Sequence, residues 1–271
     1  MSTATNDVGT SFLADWEAWH AAREAELRRP HGWLSLTALH WLGTEPTTLD
    51  DLPGRWWYDD EGTWVEPDAA SSSDGGAVLL DGVALTGRTR VGDASGAGVG
   101  AVVVGDRVLE ILGRGAGNRG VRVRDPEAPG RTGFDGVPTF TPDPAWRLDA
   151  VLTPLADAER VAVGSSAERV QHVAQIIGHV RFTYDGAHHS LAVGAGGSIA
   201  FRDATSGRET FGLLRFLTVT PDDDGAVVLD FNRATNPPCA FSDYGTCPLP
   251  PPENVLPFAV TAGERTPTRP V

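Results

Sequence analysis

Ten side chains able to bind, protonate or attack crowd one short stretch of this chain: Asp230, Asn232, Arg233, Asn236, Cys239, Asp243, Tyr244, Cys247, Glu253 and Asn254. Six prolines between Pro237 and Pro252 are interleaved with them. Carboxylates and amides at this density suit general acid–base chemistry or recognition of a polar ligand, and neither calls for a metal or an organic cofactor. Asp230 and Glu253 are the candidate catalytic acid/base groups. Asp203, Arg215, Asn232, Asn236 and Arg122 are the candidate binding residues. Asp230 and Asn232 lie two apart, so on a strand over 226–231 their side chains leave one face. Arg215, on a strand over 213–219, is the cation expected to meet Asp230 there. A buried Asp203–Arg215 ion pair is the other reading of the same residues, and such pairs are costly unless fully hydrogen-bonded. Asp230 and Asn232 could instead simply satisfy the backbone of the proline loop, and Asn236, before Pro237, is also an ordinary turn former.

Other chemistries find less support. Every one of the 22 basic residues is Arg, which excludes a Schiff-base or P-loop lysine. The seven histidines form no H-E-x-x-H pattern, and the glycine-rich runs GDASGAGVG and GRGAGNRG are not followed by a helix as dinucleotide binding requires. Arg122 and Arg124 share a strand face and suggest a local anion-binding spot, against the alternative of a solvated face balanced by Asp125. Cys239 and Cys247 have no histidine between them to act as a base. A bent proline loop allows a disulfide between them, but a reducing cytosol keeps thiols reduced. Two reduced thiols are the expectation.

These residues need elements to hold them. Residues 11–29 carry Phe12, Trp16, Trp19 and Leu27 at near-helical spacing, ending at Pro30 and Gly32, and predict an amphipathic helix. After Leu52, short apolar runs alternate with Gly, Asp, Asn and Pro clusters. Asp81-Gly82, Asp185-Gly186 and Asp224-Gly225 are hairpin turn signals. This rhythm predicts a mainly β fold, an antiparallel sandwich or barrel-like core, with a short helix at Glu168–Ile177 as the one exception. Residues 1–43 are expected to pack as a helical segment on a single β-rich domain, 44–271. The patch DAASSSDGG, 68–76, reads as a flexible loop. Prolines fix φ and remove donors, so 228–254 is neither helix nor central strand. Its interleaved Phe231, Phe241, Tyr244 and Leu249 predict an ordered loop able to wall a pocket.

A net charge of −14 from 22 basic and 36 acidic residues in 271, with no basic stripe, argues against nucleic acid as a partner. No stretch approaches the roughly 20 apolar residues of a membrane span. The opening MSTATNDVGTSFLAD lacks an export signal, so a cytoplasmic location is expected.

The string DFNRATNPPCAFSDYGTCPLPPPEN at 230–254, followed by AGE at 262–264, resembles the signature of the bacterial "domain of unknown function 1684" family. GWLSL at 32–36, LPGRW at 52–56, VRVRD at 121–125 and FRDATSGRETFGLLRFL at 201–217 resemble it as well. The resemblance implies no particular activity. Residue chemistry therefore carries the functional expectation: a small-molecule enzyme of hydrolytic or general acid–base type, its polar pocket walled by residues 228–254. The alternative is a non-catalytic protein that binds a small ligand.

Overall fold

A computed structural model describes residues 4–68, 76–115, 117–168 and 170–269; most of the 68–76 patch lies outside them. Helix α1 spans Ala4–Leu27. The first strands are β1 (Leu36–Trp41), β2 (Thr47–Leu49), β3 (Leu52–Asp59), β4 (Gly62–Glu66) and β5 (Val78–Leu80). Then come β6 (Val83–Ala84), β7 (Thr89–Gly92), β8 (Val102–Val104), β9 (Arg107–Arg114) and β10 (Asn118–Arg124), followed by a single helical turn, α2 (Pro129–Thr132). The remaining strands are β11 (Arg147–Val163), β12 (His172–Tyr184), β13 (Ala187–Gly194), β14 (Ser198–Phe201), β15 (Arg215–Thr218) and β16 (Ala226–Asp230). The fold is mainly β, and every pairing between these strands is antiparallel. No described helix is long and apolar enough to cross a membrane.

Contacts divide the chain into two compact units, Met1–Glu26 with Asp135–Arg269, and Leu27–Phe134. This division cuts across the one expected between residues 43 and 44. The physical reason is that β1 pairs with β10, which makes 36–41 an integral strand of the second unit.

In the first unit the sheet order is β13-β12-β11-β16, beside a β14-β15 hairpin. Val180, Leu191, Ile199, Phe201, Leu229 and Phe231 form its fully buried centre. The helix expected at Glu168–Ile177 is absent: from His172 the chain is the start of β12, held by pairing of His172–Val173 with Ala162–Val163. A bulge on β12 shifts the register between Ile176 and Gly178. Glycine is required at 178, where a Cβ would come within 2.7 Å of the Thr153 carbonyl. The bulge turns both Ile177 and Gly178 inward, and Ile177 packs on the core. Ile176 is left on the opposite face with His179 and Ala192, because directly paired residues share a side. At the far end of β12, Asp185 and Gly186 both take positive φ, the two-residue turn that the sequence predicts. In α1, Trp16 is buried, while His20, Arg23 and Glu24 on neighbouring turns are half-buried. The inward face of the helix is therefore partly polar rather than a simple apolar stripe.

In the second unit, sheets ordered β1-β10-β9-β8-β5-β6 and β2-β3-β4-β7 enclose Trp56, Val65, Val78, Val91, Val121 and Val123. Arg122 and Arg124 do share one face, as expected, but they are committed to structure. Arg122 Nη2 and Arg124 Nη2 each donate to Glu110, at 2.6 and 2.7 Å. Arg124 Nη1 also holds the carbonyls of His31 and Gly32, and the Trp33 ring covers both guanidinium groups at 5.2 and 4.8 Å. Burial alone would raise the Glu110 pKa, but its hydrogen bonds and charge interactions with Arg122 and Arg124 together outweigh this and hold it below the usual carboxylate value. A depressed native pKa contributes stability above the unfolded value, about 4.3, and loses it as pH falls through the native one. The stability difference between wild type and Glu110→Gln should therefore be greatest near neutral pH and shrink below pH 4.5. Urea denaturation across pH 3–7 measures this, and a pH-independent difference would contradict it.

Candidate functional site

The proline-rich segment is ordered and largely buried, and its polar residues explain why. Strand β16 ends at Asp230, and residues 231–233 form a single 3₁₀ turn. Asn232 is thus not on the strand face expected for it. It meets Asp230 all the same, because Asp230 caps the turn: Oδ1 accepts from the Asn232 backbone N–H at 3.2 Å and from Nδ2 at 3.0 Å. The Asn232 amide also pairs with both backbone groups of Asp143, each at 2.9 Å. The Asn232 backbone carbonyl accepts from Trp16 Nε1 of α1 at 3.0 Å. Asp230 has Arg147 and Arg233 at 3.6 and 3.5 Å.

Arg215 does not meet Asp230. It forms the buried ion pair with Asp203, Nη2 to Oδ2 at 2.8 Å, with neither side chain more than 1% exposed. The other Asp203 oxygen accepts from the Thr205 N–H, the Thr205 hydroxyl and the Val260 N–H. Arg215 donates to the carbonyls of Val260 and Ala262. Burial pulls the Arg215 pKa below its ordinary value, opposed by the charges of Asp203 and Glu264. The pair is well hydrogen-bonded, which is the condition for a buried pair to hold; Arg215 Nε alone lacks a partner.

Asn236 joins a third group. Its backbone N–H donates to the fully buried Glu264, whose other oxygen accepts from Arg23 Nε at 2.9 Å. Arg23 Nη2 also holds the Asn236 carbonyl at 3.1 Å. Glu253 stands apart, half exposed, with His179 Nε2 at 3.6 Å. Sequence reasoning passed over Glu264, although AGE was visible in it. It also passed over His20 and Arg23, whose only signal was their helical spacing from Trp16.

The cavity that the proline-rich segment does wall is of another kind. Because the bulge leaves Ile176 outward, a second apolar layer forms on that face, with Ala174, Ile176, Ala192, Ala200 and Phe216 beneath Pro248, Leu249 and Pro251. Ile176 and Ala192 are 2% and 1% exposed although neither belongs to the main core. Asn254 fixes this cover: its Oδ1 accepts from the Ala192 N–H at 2.7 Å, and its Nδ2 donates to the carbonyls of Ala192 and Ala200. The space measures about 170 Å³ and is partly open to solvent. None of the seven predicted site residues lines it, and among the described residues no Asp, Glu, His, Arg, Cys or Tyr does.

Residues 132–265 match the family model described as protein of unknown function, DUF1684. Through this segment the chain belongs to that family. The chain is also similar to an uncharacterized protein of Haloarcula marismortui solved by solution NMR. The two share 35% identity over 50% of this chain and 79% of that one, with a TM-score of 0.42. No curated protein matches the chain. The family segment contains the cavity, the Asp203–Arg215 pair and the Glu264 group, while Trp16 and Arg23, which brace it from α1, lie outside. Among the described residues, no three His, Cys, Asp or Glu side chains gather as metal ligands.

Two predictions follow from the bracing. Asp203→Ala should cost about 3–5 kcal/mol, the penalty of a broken buried pair. Asn254→Ala, which strands three buried backbone groups, should cost on the order of 3 kcal/mol. Urea denaturation tests both, and losses under 1 kcal/mol would show the contacts to be incidental. Cys239 and Cys247 are buried, unbridged thiols, and the Cys239 backbone N–H points to Cys247 Sγ at 3.4 Å. A hydrogen bond with Cys247, together with burial, pushes the Cys239 thiol above its ordinary range. Iodoacetamide without reductant should label Cys239 slowly in native protein and both cysteines once unfolded; an unlabelled pair after unfolding would mean a disulfide.

Proposed function

We propose that this protein binds a small, predominantly apolar molecule beneath its proline-rich segment without transforming it. The observation that carries this reading is the chemistry of the cavity lining: among the described residues it consists of apolar side chains, with Asn254, Gln175 and Ser198 as its polar members and no titratable group. Acid–base catalysis needs a proton-transferring side chain within reach of the ligand. Asp230 is occupied with Asn232, Arg147 and Arg233, and Glu253 lies outside the lining, facing His179. These placements favour binding over hydrolysis or elimination.

Size narrows the ligand. An apolar cavity of about 150 Å³ accepts benzene, so a space of about 170 Å³ suits a molecule of roughly six to eight heavy atoms by the same measure. Toluene is a suitable probe. Heteronuclear NMR should show it perturbing the amides of 174–176, 192–194, Leu249, Glu253 and Asn254. Ala192→Leu, which fills the space from its floor, should abolish binding, and Leu249→Ala, which enlarges it, should admit naphthalene. Unchanged toluene binding in Ala192→Leu, or no toluene binding by the wild type, would overturn the reading.

A further inference from the structure

The geometry points to a second, independent site: an open groove on the outer face of β11–β12–β13 that binds small organic oxyanions, with Arg181 as the anchoring cation. Strand register builds it. Val151, Arg181 and Ser190 form one row across the three strands, and Thr183 and His188 form the next pair along. Alternation sends the Phe182 and His189 rings to the other side, where they meet as a tilted pair at 5.5 Å, so their backbone floors the groove. The groove measures about 380 Å³, within the ordinary range of small-molecule sites.

Its chemistry differs from that of the covered cavity. Among the described residues, Arg181 has a single long hydrogen bond, to the Thr153 hydroxyl at 3.4 Å, and no carboxylate within ion-pair distance. Other arginines are paired with acids, as at 55, 88, 122, 124, 147, 215 and 269, or hold backbone carbonyls, as at 107, 119, 131 and 208. A guanidinium that lines a concavity with most of its fork uncommitted matches a carboxylate or phosphate, which it binds in two-pronged fashion. The His188 ring shares a hydrogen bond with the Thr183 hydroxyl at Nδ1, 3.1 Å away; the tautomer that accepts there carries its proton on Nε2, a further donor. Ser190 adds a hydroxyl beside Arg181. Val151, 53% exposed, supplies an apolar wall for the body of the ligand. Among the described residues no acidic side chain lines the groove; on β11, Asp149 lies on the same face two positions from Val151.

Benzoate, phenyl phosphate and the neutral isostere benzamide test this site by NMR titration. At least one anion should perturb the amides of 151, 181–183 and 188–190 while benzamide does not; which anion binds more tightly identifies carboxylate or phosphate as the natural head group. Arg181→Gln, a change at an exposed position, should weaken that binding at least ten-fold, and Asp149→Asn should strengthen it. The site is refuted if Arg181→Gln binds like wild type, if benzamide binds as well as the anions, or if neither anion binds. Perturbations confined to the amides of 174–176, Leu249, Glu253 and Asn254 would also refute it, because they report the apolar cavity.

Discussion

A chain segment rich in proline can pair few of its backbone groups within itself, and the arrangement of the polar residues around 231–264 answers that constraint. Proline removes donors and forbids regular helix or central strand, yet buried backbone groups must still be paired. Residues 231–264 are therefore tied down by side chains. Asp230 and Asn232 close the turn that opens the segment, Glu264 and Arg23 hold Asn236, and Arg215 with Asp203 holds 260–262. Asn254 acts in place of a neighbouring strand on the edge of β13.

This bracing spends the polar residues. Carboxylates and amides that look poised for chemistry in the sequence are the same groups that satisfy the segment's backbone. What the segment then encloses is a space between proline and leucine side chains above and alanine, isoleucine and phenylalanine below. The apolar character of that space follows from the bracing, since the polar side chains point into the scaffold.

The outer face of β12 and β13 consequently has two regions. Towards Ile176 and Gly194 the proline-rich segment covers it, and a compact apolar cavity results. Towards Arg181 and His188 it is bare, with side chains free to meet solvent and solutes. His179, facing Glu253, stands on the strand between them.

Local signals in the sequence determined much of this. Alternating apolar runs and Asp-Gly turns specify antiparallel strands because strand period and turn geometry are properties of neighbouring residues. The inward packing of Val227, Leu229 and Phe231 follows from the same period of two, and the ordered state of 228–254 follows from aromatics among prolines. Tertiary structure alone decided the rest. Arg215 could pair with Asp230 or Asp203 as far as sequence tells, and only the fold brings Asp203 within 2.8 Å. The β12 bulge reversed the facing of Ile176, and a register shift is set by cross-strand pairing that no local pattern encodes. The role of Asn254 was hidden for the same reason: its partners, Ala192 and Ala200, lie more than fifty residues away in the chain and meet it only when the strands are assembled.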